Sequence, residues 1–151
     1  MTVGSPPLDL GVNGYAALAA RICLSAVYLY SGIAKLLDIP AGMAEVAGFG
    51  LPAPSVLLAL TILVQLGGGL LVLVGLWTRL AAFLLLGFTV VATALAHNPF
   101  GLEGIELQRQ LTTSLEHLAI VGGFILLIAG GAGPISVDGG LGKRQGTPRT
   151  P

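Results

Sequence analysis

Residues 61–79 read TILVQLGGGLLVLVGLWTR and constrain the fold more than any other stretch of the chain. Three adjacent glycines in a water-exposed helix would each cost about 1 kcal/mol relative to alanine. In a membrane helix, small residues instead let neighbouring backbones pack closely. Most faces of this stretch carry Leu, Ile and Val. One helical face carries nearly all of its small or polar residues and consists of Thr61, Gln65, Gly68, Val72 and Gly75. The pattern predicts a transmembrane helix with a specialised inner face.

The composition extends this interpretation to the whole chain. Of its 151 residues, 54% are hydrophobic and only 9% are charged, against about 25% charged in soluble domains. The formal net charge is zero, so nothing favours a nucleic-acid partner. One cysteine and two histidines are too few for a dithiol pair or a standard zinc site, and we predict no metal site. The chain is predicted to be an integral membrane protein whose main environment is the lipid bilayer.

Four apolar stretches approach the roughly 20 residues that a helix needs to cross a bilayer. They cover residues 15–37, 55–76, 80–96 and 113–129. The predicted fold class is therefore all-α, with a four-helix transmembrane bundle over residues 15–138. Residues 1–14 are predicted to be a flexible N-terminal segment, and residues 139–151 a disordered tail. Residues 41–47 can form a short helix at the membrane surface.

Basic residues indicate how the bundle is oriented. One side holds Arg79 and the C-terminal cations Lys143, Arg144 and Arg149, whereas the other holds fewer cations. Because cytoplasmic loops carry an excess of Lys and Arg, both termini are predicted to be cytoplasmic. The loops over residues 38–54 and 97–112 would then face outward.

The first span has a polar face of its own. Its members follow one another at spacings of four, three, four and three: Arg21, Ser25, Tyr28, Gly32 and Lys35. This spacing predicts that all five face the protein interior. The alternative is that the two cations extend their side chains to opposite membrane interfaces.

Ionisable residues are expected to meet at one end of the bundle. Lys35, His97, Glu116 and His117 all come near the ends of spans on the same side. Such a cluster in a membrane protein is a candidate functional site, and this one could bind a quinone head group or pass its protons. A lysine held there needs a carboxylate partner or a polar ligand, and Glu116 is the candidate carboxylate. A structural alternative is that residues 113–116 form a capping box, with His97 a residue that merely ends a helix.

The candidate site also includes a polar residue near the middle of the membrane. Gln65 can hydrogen-bond across helices for about 0.6–2 kcal/mol, which favours a packing role over a catalytic one. The whole candidate polar site is Lys35, Glu116, His117, Tyr28, Arg21, Gln65 and His97.

Several motifs in order resemble the DoxX family of small four-helix membrane proteins. They are Arg21, SGIAKL at 31–36, GLP at 50–52, GGLLVLVGLWTRLA at 68–81, LAIVGG at 118–123 and GPISVD at 133–138. Two positions depart from the family pattern, because Gln65 stands where a glutamate is common and His117 where an asparagine is common.

The resemblance implies a multi-pass protein of the bacterial inner-membrane type. It also implies an association with membrane oxidoreductase complexes, since relatives are subunits of thiosulfate:quinone oxidoreductase. The first functional hypothesis is a subunit of a quinone-linked redox system, with redox proteins or a second copy of the chain as partners. The alternative is a non-enzymatic scaffold or assembly factor. A small-solute carrier is disfavoured because no span looks broken at mid-membrane.

Overall fold

The computed structural model describes residues 14–97 and 101–145, and every regular element within them is a helix. Four helices are long and apolar enough to cross a membrane: α1 (Gly14–Leu37), α3 (Pro54–Val74), α4 (Thr78–Ala96) and α5 (Gly104–Gly130). Two shorter helices are α2 (Ile39–Gly48) and α6 (Val137–Gln145). The predicted all-α, four-helix membrane bundle is confirmed.

The four long helices close a ring around one apolar core. Helix α1 packs against α3 and α5, and α4 completes the ring by packing against the same two helices. The fully buried side chains at the centre include Val72, Leu85 and Phe124. Large apolar side chains such as Phe83 and Leu126 are more than 60% exposed on the outside. A bilayer would cover these outer faces, because lipid tails are as apolar as the side chains themselves.

The glycine triplet of α3 brings that helix close to two neighbours. A Cβ atom on Gly68 would lie 2.9 Å from Leu85 Cδ2 of α4, and one on Gly69 would lie 3.1 Å from Leu29 Cδ2 of α1. Gly67, by contrast, has no atom within 4 Å of such a position. Two of the three glycines therefore act as the small contact residues that the sequence predicted.

Helix α3 is not a regular α-helix through the membrane. Residues Val64–Gly68 form a π-helical turn, which widens the helix by one residue at mid-span. Single π turns are rare and often occur at functional sites. The turn leaves Gln65 and Gly68 buried. The π turn widens α3 without breaking it, since Pro54–Val74 is one continuous helix.

The helix that carries the fourth apolar span, residues 113–129, begins well before that span. Helix α5 starts at Gly104, so residues 113–116 lie within the helix and cannot form an N-terminal capping box. The capping interpretation of Glu116 was wrong. The segment predicted to be disordered from residue 139 includes most of α6, which ends at Gln145. Residues 1–13 and 146–151 lie outside the described part of the chain.

The two ends of the described chain lie at the same end of the bundle. A Cβ atom on Gly14, the first residue of α1, would sit 2.8 Å from Pro134 Cγ, which precedes α6. The opposite end carries α2 and the connection between α4 and α5. The side of the membrane that each end faces stays a prediction.

Candidate functional site

Helix α1 places its polar face inside the bundle, as the residue spacing predicted. Arg21, Ser25 and Tyr28 are each less than 5% exposed, and Gly32 is also buried. The Lys35 side chain is 14% exposed. The alternative in which Arg21 extends to the membrane surface does not hold. The five residues nevertheless divide into two groups, because Arg21 lies at one end of the bundle and Lys35 at the other.

Lys35 is neutralised by α2, the short helix that follows α1. Its Nζ lies 3.0 Å from Glu45 Oε2. Asp38 begins α2 as its N-cap, with Oδ1 accepting from Ala41 N at 3.0 Å. Gly42 lets α2 pack against α3, since a Cβ there would lie 2.9 Å from Leu58 Cδ1. The cap and the close packing together hold the Glu45 carboxylate beside the ammonium.

Glu116 is not the partner of Lys35, and that prediction was wrong. The structure gives the ammonium its ion pair with Glu45, and Glu116 is exposed on α5. The sequence contained a usable signal. Glu45 is the only acidic residue in the predicted short helix over residues 41–47, which lies directly after the end of the first span.

The π turn of α3 directs Gln65 towards α1. Its Nε2 donates to Ser31 Oγ at 3.1 Å, and Lys35 Nζ approaches the same oxygen at 3.5 Å. Gln65 is 5% exposed, and its Oε1 atom has no hydrogen-bond partner among the described residues. A buried carbonyl oxygen without a partner costs about 1–3 kcal/mol.

Two threonines of α4 each bond a side chain of the candidate site. The Tyr28 hydroxyl is hydrogen-bonded to Thr89 Oγ1. The Tyr28 ring packs against Phe124 and Phe88, with centroids 5.6 Å and 6.4 Å away. One helical turn along α4, Thr93 Oγ1 lies 2.7 Å from His117 Nδ1. The two threonine hydroxyls are not bonded to each other, because Thr93 Oγ1 donates to the backbone oxygen of Thr89.

The two histidines pack against each other. His97 ends α4, and its ring lies edge-on to that of His117 with centroids 5.0 Å apart. His97 Nδ1 lies 2.8 Å from Gln110 Oε1, and Ser114 Oγ donates to His97 O at 3.2 Å. Helix α5 therefore supplies the groups that orient the His97 side chain and its carbonyl oxygen.

These side chains surround a cavity of about 420 Å³. Most of its wall is apolar and comes from all four long helices and from α2. The predicted site residues that line it are Tyr28, Lys35, Gln65, His97 and His117. Ser31, Glu45 and Thr89 add polar groups that the prediction missed. Arg21 and Glu116 are not among the lining residues. The structure thus brings together five of the seven predicted residues.

Comparison with known proteins agrees with the fold of a multi-pass membrane protein. The sequence profile of the DoxX family matches residues 16–98, more than half of the chain. The chain belongs to the DoxX family. It is 33% identical to the inner membrane protein YqjF of Escherichia coli over 90% of this chain and 95% of that protein. It is 24% identical to the E. coli inner membrane protein YphA over 80% of this chain and 86% of that one. No solved structure matches the chain.

The match supports a location in the cell membrane as a multi-pass protein, which the sequence predicted. The family profile covers α1 to α4, and these helices carry most of the cavity wall. His117, the α5 residue that packs against His97, lies beyond the matched residues.

The opposite end of this DoxX-family bundle is held by a residue that the site prediction missed. Asp138 accepts hydrogen bonds from Trp77 N at 2.9 Å, Thr78 N at 3.0 Å and Thr78 Oγ1 at 2.9 Å. It thereby caps the N-terminus of α4 from a distant part of the chain. Burial alone would raise the pKa of Asp138. The bonds from Thr78 and Trp77 and the charge of Arg21 outweigh burial and lower the pKa.

Arg21 lies behind this cap, is 1% exposed, and keeps Nε and Nη1 buried without a hydrogen-bond partner among the described residues. It donates to Ile135 O, and Nη1 lies 1.9 Å from the position that a Cβ of Gly75 would occupy. A shallower, open groove of about 680 Å³ runs outside it, past Trp77 and Arg79. The Asp138 carboxylate lines that groove but already accepts three hydrogen bonds from the N-terminus of α4. The groove therefore has fewer free polar groups for a ligand than the cavity beside Lys35.

Proposed function

We propose that the protein is the quinone-binding subunit of a membrane oxidoreductase system, with the cavity between the helices as its binding site. The observation that carries this proposal is the cavity itself. Its volume of about 420 Å³ falls within the roughly 300–1,000 Å³ of small-molecule sites, which combine apolar walls with a few placed polar groups. A quinone head group is a flat, largely apolar ring with polar oxygens, and this wall is suited to it.

The rim of the cavity supports a ligand that arrives from the bilayer. Leu60 on α3 and Val91 and Leu95 on α4 line the cavity, yet they are 50%, 58% and 41% exposed. In a membrane their outer surfaces contact lipid. A lipid-soluble ligand can therefore reach the cavity by passing between side chains, without crossing water.

The polar groups of the cavity wall would have two roles, proton exchange with water and proton transfer to the ligand. Lys35 and Glu45 form an ion pair whose carboxylate side chain is 50% exposed, so the pair can exchange protons with water. His97 and His117 are the side-chain type that gains and loses protons near neutral pH. A bound quinone would supply the electron-carrying ring. The protein would orient it and hold protons at the imidazole nitrogens.

The link to an oxidoreductase partner rests on the resemblance of DoxX relatives to subunits of thiosulfate:quinone oxidoreductase. An electron-transferring partner would dock at one of the two membrane surfaces. With both termini in the cytoplasm, the Lys35 end would face outward, and labels at Gly50 should react only from that side. Partner identity and self-association stay predictions.

Direct quinone binding tests the proposal. The protein is purified in lipid nanodiscs and titrated with a short-chain naphthoquinone, with calorimetry as the signal. We expect saturable binding and at least a tenfold weaker affinity in Lys35→Met. Arg109→Met is the matched control, because it removes a cation from an exposed ion pair with Glu106. Glu45→Gln serves as a second variant if Lys35→Met does not fold.

Two results would contradict the proposal. Wild-type protein that binds no quinone but still retains partner proteins would favour the scaffold alternative. Unchanged quinone affinity in both Lys35→Met and Glu45→Gln would place the ligand away from the Lys35 end of the cavity.

A further inference from the structure

Two threonines of α4 determine which polar atoms of the cavity wall donate hydrogen bonds and which accept them. Thr89 Oγ1 is 2.7 Å from Leu85 O, and Thr93 Oγ1 is 2.6 Å from Thr89 O. A carbonyl oxygen carries no hydrogen, so each of these contacts requires the threonine hydroxyl as donor. A hydroxyl has a single hydrogen. Both threonines can therefore only accept in any further bond.

Because both threonine hydroxyls are already used as donors, the hydrogen-bond roles of Tyr28 and His117 follow. Because Thr89 can only accept, the Tyr28 hydroxyl donates to it, and the Tyr28 oxygen keeps only acceptor capacity. Because Thr93 can only accept, His117 donates to it from Nδ1–H at 2.7 Å. A neutral imidazole with its hydrogen on Nδ1 has its lone pair on Nε2. His117 thus becomes a second acceptor in the cavity wall.

Gln65 supplies a third acceptor. Its Nε2 is used by Ser31 Oγ, whereas Oε1 is buried and has no partner among the described residues. Lys35 is paired with Glu45 at 3.0 Å and keeps an ammonium hydrogen for a ligand oxygen. The wall therefore carries three acceptors, Gln65 Oε1, the Tyr28 oxygen and His117 Nε2, beside the donor hydrogens of Lys35, Ser31 and Thr61.

We infer that the cavity selects the hydroxyl-bearing, reduced form of its ligand, a hydroquinone, over the corresponding quinone. This inference rests on the proposed function for the class of ligand and adds its redox state. A quinone oxygen can only accept, so it would leave Gln65 Oε1 unpaired and place two acceptors together. A hydroquinone hydroxyl donates to Gln65 Oε1 or His117 Nε2 and can still accept from Lys35. Discrimination of this kind is large because the rejected ligand leaves a buried polar atom unsatisfied.

Three probes of nearly equal shape test the inference. They are 1,4-naphthohydroquinone, 1,4-naphthoquinone and 1,4-dimethoxynaphthalene, titrated anaerobically into the nanodisc-embedded protein at pH 8, where most histidines are neutral. The dimethyl ether keeps both oxygens and lacks both hydrogens. We expect the hydroquinone to bind at least tenfold more tightly than either of the other two.

Gln65→Met identifies the atom responsible, because methionine nearly matches the shape of glutamine and lacks its acceptor. We expect this variant to bind the hydroquinone no more tightly than wild-type protein binds the ether. Gln108→Met, on the exposed side of α5, is the matched control and should keep the preference. The comparison of the three probes on wild-type protein needs no variant, so misfolding of Gln65→Met leaves the test intact.

The possible failures are distinguishable. Naphthoquinone that binds as tightly as the hydroquinone, or more tightly, would overturn the inference and leave the proposed quinone site standing. Hydroquinone preference that survives Gln65→Met and His117→Phe would also overturn it, since these residues carry two of the three acceptors. Binding of none of the probes would overturn the proposed function together with the inference.

Discussion

Helix α1 carries one cation towards each end of the bundle, and the two have different surroundings. Arg21 is 1% exposed and is packed against Gly75 and the segment 133–138, which leaves no space beside it. Lys35 borders a cavity of about 420 Å³. A buried cation is therefore not a sign of a binding site by itself. The empty space beside Lys35 distinguishes the two ends, because buried polar atoms without a hydrogen-bond partner among the described residues occur at both, on Arg21 and on Gln65.

At the Arg21 end, the polar side chains form hydrogen bonds with other segments of the same chain. Asp138 occupies the N-terminus of α4, and its own backbone N–H donates to Gly75 O at 2.8 Å. Arg21 donates to Ile135 O within the same segment. The polar groups there hold the C-terminal segment against the bundle. The comparison predicts that changes at this end alter stability, whereas changes at the Lys35 end alter binding.

The largest effect is expected for Gly75→Ala. A Cβ atom there would lie 1.9 Å from Arg21 Nη1 and 2.5 Å from Ser136 Cβ, and the residue has φ +73°. The overlap and the left-handed backbone together should cost about 3 kcal/mol or more. We expect a large drop in the melting temperature of the detergent-solubilised protein, followed by circular dichroism, or a failure to accumulate.

Gly87→Ala is the control for that experiment, because a Cβ at Gly87 has no atom within 4 Å. It should melt as the wild-type protein does or slightly higher, since alanine favours helix over glycine. A Gly75→Ala protein that melts with its control would show that the Arg21 end is loosely packed. The contrast between the two ends would then be lost.

A smaller effect is expected for Asp138→Asn. The asparagine keeps one acceptor oxygen of the cap and loses the charge, which should cost about 1 kcal/mol. Hydrogen bonds from Thr78 and Trp77, together with the Arg21 charge, hold the pKa of Asp138 below 3.8 in spite of burial. A lowered folded-state pKa stabilises the protein above the unfolded-state pKa, and that contribution disappears as the pH falls through the folded-state value.

The pH dependence provides the measurement. The difference in unfolding free energy between wild-type and Asp138→Asn protein should be constant from about pH 5 to 8 and should shrink below about pH 4. Asp38→Asn is the comparison variant, because Asp38 caps only the short helix α2. A wild-type advantage that grows in acid would contradict the assigned role of Asp138.

The sequence predicted the features that depend on periodicity. Apolar length gave the four helices, and the spacing from Arg21 to Lys35 gave the inward face of α1, because both follow from helix geometry. The glycine triplet correctly predicted close packing of α3. Within the site, spacing and position along the spans selected five residues that now line one cavity.

The features that depend on contacts between distant segments could not be predicted in this way. Lys35 pairs with Glu45 because α2 folds back against α3. The sequence places Glu45 in a predicted short helix after the first span, but residue spacing does not specify where that helix packs. Asp138 reaches Thr78, 60 residues away in the chain. The π turn at Val64–Gly68 has no marker in the apolar pattern. In each case tertiary packing decides among partners that the sequence leaves equivalent.

The smallest effect on stability is expected where the comparison predicts the largest effect on binding. Ala92 lines the cavity, whereas Ala94 of the same helix is exposed and is not part of its wall. Leucine at either position should change the unfolding free energy by no more than about 1 kcal/mol, because each added side chain enters the cavity or the lipid rather than a filled core. Ala92→Leu should nevertheless weaken naphthohydroquinone binding at least tenfold, since it occupies the volume that the ring needs. Ala94→Leu should bind as the wild-type protein does.

If Ala92→Leu instead destabilises the bundle as strongly as Gly75→Ala, the Lys35 end has no free volume in solution. It would then be as closed as the Arg21 end, and its polar groups would serve packing alone.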